Sequence, residues 1–394
     1  MPRTVPRQFA EAPQATPPAP RIHSLDFSVI TATMGGGVEA GKADRLVPYR
    51  PTEVRAALRF WWRCSIGSRH ANADQLRAAE GAVWGDTQRA SRIAIEVADS
   101  RLGAEVPAMV KGRPAHYEEP RYALFPAQSD VVRPIYKGGS FKLRFQVPSG
   151  LVDDFDAAVR CWIAFGGIGG RTRRGLGALY CSQYNAPSWY NPDDYGPSSA
   201  VKPWPQLKGA RMVIGTSPMS HQQAWETAVN LMKEFRQKKV GGNPFGRSAW
   251  PEPDAIRRTT GQTSPAHSSP VTLNDEFPRS KFGMPIIFHF RTDAHRRGDP
   301  DDQTLEPDFR GEAPDSRAEA KDRMASPVIL KPLAVSATQS VPVCLVLNTP
   351  QPDGLRLKAK MTKSVALVVA GGRDVLSDLL GLAARQWGAK VVQV

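Results

Sequence analysis

The stretch of this sequence best suited to hold a phosphate backbone is Phe165-Gly166-Gly167-Ile168-Gly169-Gly170-Arg171-Thr172-Arg173-Arg174-Gly175-Leu176-Gly177. It carries Arg171, Arg173 and Arg174 without an acid, set among Gly167, Gly169, Gly170, Gly175 and Gly177. Arginine presents fork-shaped donors to phosphate oxygens, and glycine reaches positive φ and admits another backbone to contact distance. The order is helix, loop, apolar run, whereas a dinucleotide-binding fingerprint runs strand, loop, helix. A tight connection between a helix and a strand uses the same composition, so both readings stay open.

A second basic feature lies at Pro51 to Arg63. Pro suits a first helical turn; Val54, Ala57, Leu58 and Trp61 form one apolar face, and Arg55, Arg59 and Arg63 recur at i, i+4 and i+8. Three like charges on one stripe repel, which calls for a bound polyanion or for acids from another element. Upstream, Gly36 to Lys42 satisfies GxxxxGK, but Ala43 stands where Ser or Thr must hold magnesium and Pro48 interrupts the helix that should follow. What survives is a flexible loop, Gly35, Gly36 and Gly37 followed by the cations Lys42, Arg45 and Arg50, again suited to a nucleic-acid backbone.

No catalytic or metal constellation emerges. Cys64, Cys161, Cys181 and Cys344 are scattered without a CxxC pair, which favours reduced buried thiols and a cytoplasmic setting over zinc or disulfides. Asp153, Asp154 and Asp156 suit the first turn of a helix. Asp293, His295, Asp299, Asp301 and Asp302 share a polar stretch with Arg291, Arg296 and Arg297 that reads as disordered. His289 lies on a strand with one face open. No cofactor is expected.

The whole chain agrees with a polyanion partner. Its 394 residues carry 52 basic and 38 acidic side chains, a formal charge of +14. No apolar run reaches the roughly 18 residues of a membrane span, and no apolar signal core opens the sequence. Residues 1–22 read as a disordered arm, 23–184 as a first domain, 185–208 as a Pro-rich linker and 209–394 as a second domain. Helices are expected over 51–66, 74–83, 151–165, 221–238 and 374–387. Strands are expected at 24–33, 91–97, 140–146, 176–183, 211–215, 284–290, 325–330, 341–347 and 364–370. Between them, 241–274 reads as a polar connector and 291–322 as a mobile charged loop. This mixture suggests an α+β fold, and the similar content of the halves permits duplication.

Several segments resemble a known family. Ile30 to Gly37, Pro51 to Arg63, Gly85 with Ser91, Ser248 to Arg258, Phe282 to Ile286 and Arg323 to Pro327 are similar to the first-numbered RAMP subunit of the Cmr effector complex of type III-B CRISPR systems. The loop Gly166 to Gly177 is similar to the glycine motif of RAMP proteins at large. The resemblance implies two ferredoxin-like, RRM-related domains and assembly with other RAMP subunits, CRISPR guide RNA and target RNA, in an antiviral ribonucleoprotein. It implies a non-catalytic role near the 3′ region of the guide, and adds Arg257, Arg258 and Arg323 to the expected RNA contacts. The alternative is an RNA endonuclease using His289 or the aspartate loop on a 2′-OH or a metal.

Overall fold

The computed structural model describes residues 22–39, 41–106, 120–124, 133–184, 201–242, 246–290, 298–308, 322–352 and 354–394. Residues 1–21 of the expected N-terminal arm, residues 185–200 of the expected linker and most of the charged loop lie outside them.

The first unit runs β1 (His23–Val29), β2 (Thr33–Met34), α1 (Pro51–Cys64), α2 (Ala73–Trp84), β3 (Ala94–Val106), β4 (Ile135–Gln146), α3 (Val152–Phe165) and β5 (Leu179–Tyr180). Pro51 opens α1 after the extended Arg50, and Asn72 caps α2 by accepting the Gln75 amide. All strand pairs are antiparallel, in the order β3-β4-β1-β5, with β2 on β4. Counting β1, β3, β4 and β5 as first to fourth, this is the β-α-β-β-α-β arrangement of ferredoxin-like folds.

The second unit repeats it. β6 (Gln206–Ile214) leads through β7 (Met219–Ser220) to α4 (His221–Arg236) and α5 (Glu252–Thr260). After β8 (Ile286–Phe288) and β9 (Gln303–Asp308) come β10 (Val328–Ala334) and β11 (Gln339–Asn348). β12 (Gly354–Ala359), β13 (Val365–Val368), α6 (Val375–Trp387) and β14 (Val392–Gln393) close the chain. The sheet order β10-β11-β6-β14 matches the first unit strand for strand, and the inserted strands form a separate sheet, β13-β12-β9-β8. A capping box of Ser220 and Gln223 starts α4.

The two units share a core. In β11, Val341, Val343, Leu345 and Leu347 face the helices α1 and α3 of the first unit, while Cys344 and Val346 face α4 and α6. The layers therefore run sheet, helices, sheet, helices. A sheet buried on both faces needs near-continuous apolar residues, and every residue of β10 is buried. The end of helix α3, Cys161 to Phe165, is buried all round because it lies between two sheets.

Three expectations change. Residues 241–274 hold α5, whose nine residues and acid-base sequence hide the apolar pair Ala255 and Ile256. The charged loop 291–322 contains β9, which buries Leu305 between β8 and β12. β6 begins at Gln206, inside the stretch read as linker, and Trp204 is already buried.

Candidate nucleic-acid interface

On α1 the arginine stripe is answered from within the chain. Glu80 of α2 accepts from Arg59 Nε at 2.6 Å and from Arg63 at 2.7 Å, and Arg55 donates to Ser91 Oγ at 2.8 Å and to the Ile93 carbonyl. One buried carboxylate on a neighbouring helix offsets the like-charge stacking, so the stripe requires no external polyanion. The sequence places Glu80 on the neighbouring helix but does not reveal that it turns toward α1.

The glycines of the 166–177 loop are also used internally. A Cβ on Gly175, at φ +80°, would stand 2.6 Å from the Trp225 ring and 3.0 Å from the Leu330 carbonyl oxygen; one on Gly177 would overlap the Ile168 carbonyl, and one on Gly167 would lie 2.7 Å from the Gly177 oxygen. A Cβ on Gly169 or on Gly170 would stand 3.1 Å from the Met34 oxygen, and one on Gly37 2.6 Å from the Lys42 oxygen. Gly35 and Gly36 have φ of +70° and +91° beside Gly41 and Glu53. The close approach expected of a ligand backbone is made by this chain's own. Glu53 fastens the two glycine segments: its carboxylate accepts the Gly169 amide at 2.6 Å. Burial raises its pKa against the opposing pull of that amide and of Arg50.

The loop's arginines reach into the seam between the units. Arg171 donates to the Ala123 carbonyl at 2.6 Å, Arg173 to the Ser326 carbonyl, and Arg174 to the Val328 carbonyl at 2.8 Å and Ser326 Oγ at 3.2 Å. Trp225 of α4 returns a bond to the Arg174 carbonyl at 2.7 Å. Arg236 donates to Tyr122 Oη at 3.3 Å, and Arg279 lies 3.1 Å from Glu252. Desolvation pushes Arg174 down to about 10, and Arg171, Arg236 and Arg173 push in the same direction. Four guanidiniums, those of Arg171, Arg174, Arg236 and Arg279, thus converge around Tyr122 with Glu252 as their one close carboxylate among the described residues, and Arg173 lies beside Arg174 over the Phe60 ring; Arg171, Arg173, Arg174 and Arg236 meet only neutral acceptors there. Sequence reading missed Arg236 and Arg279, because α4 and the 278–282 turn meet the glycine loop only in the folded chain.

The other expected contacts scatter. Lys42 pairs with Glu39 at 2.8 Å, Arg45 with Glu105 at 2.5 Å, and Arg50 donates to the Gly37 carbonyl at 3.1 Å. Arg258 spends its donors on Asp275, Thr272 and Asn274, while Arg323 is exposed beside Asp322. Arg257 is buried in a network with Asp254 and Asp299, and His267 joins through Asp299 at 2.7 Å. Burial there makes Arg257 a structural group and places Asp299, expected in a disordered loop, in the interior. Asp154 also does more than complement the helix dipole: it accepts the Trp62 indole N–H at 2.8 Å. His289 is exposed and pairs with Asp302 at 3.0 Å. No group of residues suited to a metal, and no helix long and apolar enough to cross a membrane, occurs among the described residues.

Residues 26–180 match the model of the RAMP superfamily. Solved structures similar to this chain include Cmr1 from Pyrococcus furiosus, at 14% identity and TM-score 0.48, covering 95% of this chain and 98% of that one. A second comes from the type III-B Cmr-beta complex bound to cognate target RNA and AMPPnP in the presence of single-stranded DNA. It has 11% identity and TM-score 0.46, with 92% of this chain and 98% of that one covered. A third, from Cmr-beta bound to cognate target RNA, has 11% identity and TM-score 0.43 over 92% and 99%. No curated protein matches the sequence.

Proposed function

We propose that this chain, a RAMP-superfamily protein over residues 26–180, is a non-catalytic RNA-binding subunit of a type III-B CRISPR ribonucleoprotein, composed of two RAMP domains. It engages guide RNA near its 3′ region together with target RNA. The observation that carries the reading is the seam: a cluster of guanidiniums held by carbonyls and hydroxyls keeps its positive charge, where pairing with carboxylates would cancel it. Such a site attracts phosphate regardless of base sequence, which suits a complex whose sequence choice is made by base pairing. The part-buried Arg171 and Arg236 are the contact groups, and the desolvated Arg174 adds field. The formal charge of +14 acts in the same direction at longer range.

The test is binding of guide and target RNA to the full chain as salt is varied. Arg171→Glu with Arg236→Glu is expected to weaken binding by about tenfold or more and to lower the salt slope by roughly two. Unchanged affinity and slope in a folded double variant would remove the reading. The endonuclease alternative rests on the exposed His289, oriented by Asp302 as a general base would be. Incubating the chain with labelled RNA, with and without magnesium or manganese, decides it: a specific product lost in His289→Ala would establish cleavage.

A further inference from the structure

Between α4 and α6 lies a pocket of about 460 Å³ that none of the contacts above uses, a volume within the range of small-ligand sites. Phe235, Trp250 and Leu382 give it an apolar wall, and Lys238, Arg373 and Arg385 give it cations. Its two acids are engaged: Asp378 holds Arg373 at 2.6 Å, and Glu234 accepts the Gln386 amide at 3.1 Å. Lys238 and Arg385 are exposed and form no ion pair among the described residues. The buried indole N–H of Trp250 has no hydrogen-bond partner there.

Gly381 lies within α6 and lines the same pocket. Glycine inside a helix costs about 1 kcal/mol relative to alanine. A Cβ at Gly381 would meet only the Arg385 guanidinium, at 3.5 Å, an ordinary contact. Packing therefore does not require glycine here, and what the missing side chain provides is open space in the pocket. The pocket also adjoins the cationic seam, because Arg279 and Arg373 both stand over the Trp250 ring, at 5.7 and 5.9 Å.

We infer that this pocket binds one nucleotide, with its base against Phe235, Trp250 and Leu382 and its phosphate at Lys238 and Arg385. An aromatic and aliphatic wall accepts the face of any base, and two unpaired cations at the mouth accept a phosphate. The nucleotide has two possible sources: an unpaired residue of RNA lying along the seam, which rests on the function proposed above, or a free mononucleotide, which does not.

Titration calorimetry of the full chain with AMP, GMP, CMP and UMP in turn tests this, alongside binding of a short single-stranded RNA. Gly381→Leu fills the pocket with a better helix former, so the fold is retained and its melting temperature is checked directly. Arg385→Glu reverses the charge at an exposed position. Saturable nucleotide binding weakened about tenfold or more by both variants supports the site; displacement by the RNA then assigns the source to RNA, and failure to displace assigns it to the free nucleotide. RNA binding weakened by Gly381→Leu, without measurable mononucleotide binding, supports the RNA source. Nucleotide binding indifferent to both variants, or no nucleotide binding together with unchanged RNA binding in Gly381→Leu, overturns the inference. Loss of all RNA binding with nucleotide binding retained would remove the proposed function and leave the pocket standing.

Discussion

At Lys331 a side chain of the second unit is fully buried, and its ammonium donates at 2.7 Å to the carbonyls of Ile163 and Gly166 at the end of α3. Burial pulls its pKa down to about 7, against the pull of two carbonyls and a helix C-terminus that favour the charge. Its folded pKa lies below the 10.5 of an exposed lysine, so between these values the unfolded chain binds the extra proton and stability rises with pH. Urea unfolding at pH 7 and pH 10 is expected to reveal that rise, and Lys331→Met to flatten it; equal slopes would rule the assignment out. Asp299 has the same sign of pH dependence in an acidic window. Burial raises it, but Arg257 and the Ser264 amide outweigh burial and bring it to about 2. Its contribution is complete above the unfolded value and is lost as pH falls from about 4 toward 2. Asp299→Asn leaves Arg257 and His267 without their shared acid and is expected to cost about 3 kcal/mol in chemical denaturation.

The glycine loop is the element that bonds the first unit to the second. Arg171 at φ +59° and Gly175 at φ +80° bracket a short 3-10 turn that aims Arg173 and Arg174 at the start of β10. Gly175→Ala would press a methyl into Trp225 and the Leu330 carbonyl from a left-handed backbone, with an expected loss of about 2 kcal/mol or more, read as a lower melting temperature. A melting temperature equal to wild type would show that the loop can relax. The long helices were legible from their apolar period: α1 and α3 were anticipated within about two residues. Strands were less so. β3 and β4 extend beyond the expected bounds because their ends pair with each other across register, where the polar residues Arg101, Lys137 and Glu105 carry no alternation to read. α5 and β9 were missed because Arg257, Asp254 and Asp299 look like solvent-exposed charge in sequence and become a neutralised interior only when brought together.

At the scale of the molecule, the second sheet lies between the helices of both units and cannot expose one face without losing half its core. A single cooperative transition is therefore expected by calorimetry and by near-ultraviolet circular dichroism; two separated transitions would show that the units are independent. In the second unit, the face that an RRM-type sheet would offer to bases is covered by α1 and α3. Net charge, the absence of a readable metal motif, the main helices and the α+β class follow from composition and from periods three to four residues long, which are local quantities. The guanidinium seam, the neutralisation of the α1 stripe by Glu80 and the internal use of the glycines follow from contacts between residues tens to more than a hundred positions apart. Whether an arginine faces a phosphate, a carboxylate or a carbonyl depends on what the rest of the chain brings within about 3 Å of it, and that is decided by packing.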